Sequence, residues 1–166
     1  MSRAFVKEGD QEEIPLIPPR AFLPPGANNY VTPIGMAQLL DEQKQLEEEK
    51  SNLHVENQTE YRIASTVLQG RLQLLQERLA SAVVLNADDY HKDAVRFGAT
   101  VTLQTVGKKE VQKFQIVGVD EADVSKQKIS FVAPIAVAVT GKKVGEVAQL
   151  KLGREVRQLK ISDMSW

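Results

Sequence analysis

Between residues 32 and 86 the seam positions recur at alternating intervals of three and four. Met36, Leu39, Leu46 and Leu53 are apolar, with Gln43 and Lys50 filling the gaps, and the rhythm returns at Leu68, Leu72, Leu75, Leu79 and Ala82. That alternation is a heptad seam and predicts two long amphipathic helices. Thr32-Pro33 has the chemistry of a helix start, with Thr as N-cap and Pro at the first helical position. Asn57 followed by Glu60 resembles a capping box and predicts a second helix from about residue 58. An antiparallel pairing in which position numbers sum to 118 matches 36 with 82, 39 with 79, 46 with 72 and 53 with 65. A slip of one heptad, to sums of 111, moves the turn from near 59 to near 55 or 56. Each arm is then ~24 residues, or ~36 Å long. The competing reading is one continuous helix that dimerises.

From residue 94 the period changes to that of strands. Val95 to Leu103 is rich in β-branched residues, Val111 to Val119 and Lys128 to Val132 read as further strands, and Gly107-Lys108-Lys109 reads as a turn. Pro134 to Val139 predicts a short helix stopped at Gly141. Val147 to Leu152 and Val156 to Ile161 predict a closing hairpin around Gly153 and Arg154. The predicted class is α+β: an antiparallel coiled-coil hairpin over 32–87, then a small antiparallel sheet domain with one short helix over 94–166. Residues 1–31 hold five of the seven prolines and read as an extended, mostly disordered tail, whose apolar residues Phe5, Ile14, Leu16, Ile17, Phe22 and Leu23 are candidates to dock on a partner or on the protein itself.

Composition narrows the chemistry. The chain has 166 residues, a net charge of −1, no cysteine and two histidines. Thiolate sites and a Cys nucleophile are excluded, and bulk phosphate attraction is not supported. No apolar run approaches the ~20 residues of a membrane span, and Met1 to Glu8 lacks the apolar centre of a secretion signal, so a cytoplasmic setting is expected. Charge is uneven: 5 basic and 8 acidic residues in 32–87, against 13 and 10 in 88–166. Asp120-Glu121-Ala122-Asp123 spells a helicase-like tetrad, yet no phosphate-binding GxxxxGK[ST] loop accompanies it. Lys126, Lys128, Lys142 and Lys143 are candidates for a basic rim. His54, near the predicted tip, is a candidate for proton transfer or RNA contact, with a solvated side chain the plainer reading.

Four segments carry a resemblance. Phe97-Gly98-Ala99-Thr100-Val101, Ile116 through Asp123, Ala133-Pro134-Ile135-Ala136, and Gly141 through Glu146 occur in an order and spacing similar to the C-terminal, FKBP-like domain of the GreA/GreB transcript-cleavage factors. Thr32-Pro33-Ile34-Gly35 and Gly70-Arg71-Leu72 resemble the openings of that family's helical segments, so the likeness spans about residues 32–162. The resemblance implies a monomeric accessory factor without a cofactor or catalytic residues of its own. It implies docking on bacterial RNA polymerase through Asp120, Glu121, Ala133, Pro134, Ile135 and Ala136. It also implies a hairpin entering the secondary channel, where tip acids help hold Mg²⁺ of the polymerase active centre, in indirect contact with RNA and DNA. Two metals stabilising attacking and leaving oxygens suit phosphodiester cleavage. Here the family's tip acids are replaced by Ser51-Asn52-Leu53-His54-Val55, and the nearest acids are Glu56 and Glu60, four apart. The hairpin is also shorter than the family pattern by about two turns per helix, or ~10 Å. Two functions inside the family remain open: stimulated cleavage through Glu56 and Glu60, or occupation of the channel without cleavage. In the second case the two acids serve only the helix dipole. A third function, from another class, is an FKBP-like peptidyl-prolyl isomerase or chaperone.

Overall fold

The computed structural model describes residues 14–166. A short strand, β1 (Asn29–Val31), leads into helix α1 (Pro33–Ser51), and helix α2 (Gln58–Ser81) returns to strand β2 (Ala82–Val84). Thr32 caps α1: its Oγ1 accepts from the Gly35 N–H at 2.9 Å, and Pro33 occupies the first position. Asn57 caps α2, its Oδ1 accepting from the N–H groups of Thr59 and Glu60 at 2.9 and 3.2 Å. The two helices bury Leu39 and Leu46 against Leu68, Leu72 and Leu75, with Met36, Leu53, Leu79 and Ala82 at the margins. Every one of these is a seam position, and each fully buried leucine contributes ~1.5–3 kcal/mol. The pairing is within one chain, so the seam needs no second copy.

The register is that of sums near 118, but the turn is not where symmetry puts it. The Lys50 ammonium donates to the Gln69 side-chain carbonyl, and Glu47, Lys50, Gln69 and Leu72 line one cleft. Slippage to sums of 111 would set Lys50 opposite Tyr61. Yet α1 stops at Ser51, and the connecting loop is residues 52–57. In this register Ser51 faces Val67, so residues 58–66 of α2 project past the end of α1, by ~14 Å. The distal part of the hairpin is therefore a single helix accompanied by its loop. This asymmetry appears directly in the helix lengths, 19 and 24 residues.

β1 and β2 pair in parallel, Asn29 with Ala82 through Val31 with Val84, and close the base of the hairpin. This pair was not predicted; three-residue strands leave no periodic signal. Beyond it lies a five-stranded sheet in the order β5-β4-β3-β7-β6. Its strands are β3 (Thr100–Thr105), β4 (Val111–Val117), β5 (Lys128–Ser130), β6 (Val147–Leu152) and β7 (Glu155–Ser165). Neighbours run antiparallel, as predicted, except at one edge, where β4 and β5 are parallel. Helix α3 (Pro134–Val139) sets Ala136 and Val139 into the core, and Gly141 follows with φ +84°. A left-handed residue just past a helix is the usual site for glycine.

Two further expectations change. Residues 95–99 are not strand: Val95, Phe97 and Ala99 are buried in alternation, but the backbone bends through Gly98 at φ +89°. Alternate burial imitated a ladder that is absent. The proline-rich stretch also differs from a disordered tail over residues 14–28; its first 13 residues lie outside the described residues. The described part is an extended strap along the hairpin, turning at Pro24–Ala27 before β1. Ile17 lies over Gly70, where a Cβ would collide with its side chain. Proline fixes an extended backbone, but local composition does not reveal that a docking groove exists on α2.

Candidate functional site

The distal end of the hairpin carries the candidate tip acids. Glu56 lies in the loop just before the α2 cap, and Glu60 in the first turn of the helix; both are exposed. Although four apart in sequence, they do not share a helical face: Asn57 at the cap separates them, and only Glu60 is helical. Glu60 is placed to favour the positive end of the helix dipole. His54 is exposed beside them. Among the described residues no three His, Asp or Glu side chains gather as a metal cage. The tip thus presents two separate, exposed carboxylates.

At the opposite end, Asp120 and Glu121 follow β4, and their surroundings differ from those of a docking surface. Glu121 is 7% exposed. One of its oxygens accepts from the Thr32 hydroxyl at 2.5 Å, and the other meets the Lys128 ammonium at 3.0 Å. Thr32 thus caps α1 through one interaction and grips the sheet domain through another. Gly35 makes room for this: a Cβ there would lie 2.7 Å from the Glu121 carboxylate. Gly118 does the same for the backbone, since a Cβ would lie 2.6 Å from the Tyr30 carbonyl. These approaches give physical reasons for two of the glycines within the motifs.

Asp120 is the centre of a second bracket. Arg20 of the strap donates from Nε to Asp120 Oδ1 at 3.0 Å and makes a two-point contact with Glu42 of α1, at 2.8 and 3.0 Å. Arg78 of α2 sits 3.4 Å from the other Asp120 oxygen and donates to the Ala21 carbonyl. The hydrogen bond to Glu42, aided by the charge of Asp120, holds the Arg20 guanidinium above its ordinary pKa against the opposing effect of burial. Charge-assisted, forked contacts of this kind are the stronger class of ion pair. Asp120 and Glu121 are thus corrected from surface residues to internal brackets. Lys128 leaves the candidate basic rim for the same reason.

The remaining docking candidates divide. Ala136 is fully buried, so it supports the core and offers no surface. Ala133 and Ile135 pack partly against that core, while Pro134 is exposed. Val137, not singled out from the sequence, is 62% exposed on the same short helix. Arg20 and Arg78 were also missed: one sits among prolines and the other in a polar helix face, and nothing local marks either as a partner of Asp120. Tyr30, Phe97 and Phe131 pack ring against ring, with centroids 5.5 to 5.9 Å apart.

Together these observations define a helical prong with carboxylates at its free end, clamped to a small sheet domain. Residues 90–165 match the family model described as "Transcription elongation factor, GreA/GreB, C-term". The chain is 38% identical over 99 residues to the transcription elongation factor GreA of Maricaulis maris, covering 60% of this chain and 63% of that protein. It is 32% identical over 126 residues to GreA of Thermodesulfovibrio yellowstonii, covering 74% of this chain and 80% of that one. The protein belongs to the GreA/GreB family of transcription elongation factors. Among solved structures, GreA factor homolog 1 of Thermus thermophilus is similar at 20% identity and a TM-score of 0.40, over 84% of this chain and all of that one. The GreA/GreB factor from Nitrosomonas europaea is similar at 22% identity and a TM-score of 0.41, over 82% and 98%. Among the described residues no helix is long and apolar enough to cross a membrane.

Proposed function

We propose that this protein is an accessory factor of bacterial RNA polymerase that inserts its hairpin into the secondary channel and regulates elongation there. The observation that carries the reading is the prong itself: a helix of 24 residues with exposed acids at its distal end, braced at its base by Thr32, Glu121 and Lys128. Docking falls to the surface around Ala133, Pro134 and Ile135. The factor brings no metal. Glu56 and Glu60 each present a carboxylate, the ligand type that Mg²⁺ accepts together with water. In the cleavage version of the function, they join the Mg²⁺ of the polymerase, which cuts backtracked RNA. One observation favours a version without cleavage: the two acids sit on different elements, Glu56 in the loop and Glu60 in α2. A peptidyl-prolyl isomerase is disfavoured: such a site needs aromatic side chains that line an open pocket, whereas Tyr30, Phe97 and Phe131 pack on one another.

Stalled elongation complexes separate the two versions. Wild-type protein that stimulates cleavage, with the stimulation lost in Glu56→Ala/Glu60→Ala, establishes the metal-assisting version. Binding to polymerase without stimulated cleavage establishes the occupying version. Failure to bind polymerase removes both.

A further inference from the structure

We infer that Arg20 is a positioning residue, and that the strap formed by residues 14–28 fixes the direction in which the hairpin points from the sheet domain. The strap lies outside the stretch that resembles the family, and among the described residues it makes specific contacts with both bodies. Arg20 touches both bodies at once: a forked pair with Glu42 on α1 and a hydrogen bond to Asp120 after β4. Arg78 draws α2 to the same Asp120. Strap, hairpin and sheet domain therefore share one carboxylate. The second fixed point is Ile17 over Gly70, where the backbone of α2 offers no Cβ to hold it away. Beside these points an open groove of about 520 Å³ runs along α2, bordered by Ile17, Pro19, Arg20, Leu74 and Arg78. The strap is thus pinned at two defined places.

Direction matters because the prong is long. With α2 at ~36 Å, a swing of ~10° at the base displaces the tip by ~6 Å. A metal ligand has to arrive within ~2.1 Å of Mg²⁺. This consequence rests on the channel reading above; the inference about direction concerns the free protein and does not.

The chain has no cysteine, so two can be introduced as unique labelling sites. The full-length protein carrying Gln58→Cys and Gln149→Cys, both exposed, is spin-labelled, and the tip-to-sheet distance distribution is measured by pulsed electron resonance without polymerase. The expected result is a narrow distribution in the parent. Arg20→Ala and Ile17→Gly broaden and shift it, while helical content by circular dichroism is retained. Arg20→Lys also broadens it, since an ammonium cannot reproduce the forked contact. Should Arg20→Ala fail to fold, the lysine and Ile17 variants carry the test. Distributions identical to the parent in the folded variants overturn the inference. Stalled-complex binding is measured on the same samples. A parent that ignores polymerase removes the channel reading and leaves the distance result standing.

Discussion

Thr32 shows how much one side chain does in this fold. It starts α1 and holds Glu121, so Thr32→Ala removes a cap and leaves one oxygen of a 7%-exposed residue unpaired. Loss of a cap costs ~0.5–2 kcal/mol, and an unsatisfied buried acceptor adds ~1–3 kcal/mol. Urea unfolding should show a loss within that combined range, and Thr32→Ser should recover most of it. Asp123 gives a pH signature. Hydrogen bonds from Ser125, above all from its hydroxyl at 2.6 Å, hold the Asp123 carboxyl below its ordinary pKa. A lowered folded pKa stabilises above the unfolded value and ceases to do so as pH falls through the folded one. The stability difference between wild type and Asp123→Ala is therefore present at neutral pH and closes in acid; parallel denaturant titrations across that range measure it. Residues such as these are only half legible in a sequence. The cap at Thr32 is local and readable, whereas its bond to Glu121 spans 89 positions and has no local mark.

At the scale of elements, the seam is the most readable feature and the turn the least. A heptad reports which face is buried, and Leu39, Leu46, Leu68, Leu72 and Leu75 are buried as their spacing requires. Leu75 is fully enclosed, so Leu75→Ala is predicted to cost ~2–5 kcal/mol and to lower the thermal midpoint without changing the protein's mass in light scattering. A coiled-coil dimer would instead dissociate. The position of the loop was harder to read, since the pairing register fixes what faces what but not where α1 gives way to loop. Asn57, the readable cap, did fix the start of α2. In the sheet domain, α3 and β6 fall where the sequence puts them, because Pro134, Gly141 and Gly153 punctuate them. Residues 95–99 misled because burial alternates there without strand pairing. Ala133 to Ala136 read as a docking motif, yet Ala136 belongs to the core; periodicity over six residues is too short to separate the two faces.

For the whole molecule, two brackets convert a hairpin and a sheet into a directed tool. One joins Thr32, Glu121 and Lys128; the other joins Arg20, Glu42, Asp120 and Arg78. Asp120 and Glu121, candidate docking acids in the sequence, instead brace the prong, while the candidate acids Glu56 and Glu60 lie exposed at its far end. Site-specific crosslinking tests this division of labour most directly. A photoreactive amino acid at Glu56 or Glu60, in a complex with RNA polymerase core, is predicted to crosslink to the lining of the active centre, while one at Gln149 does not. Crosslinks confined to the outer surface of the polymerase, or no complex at all, would contradict the account.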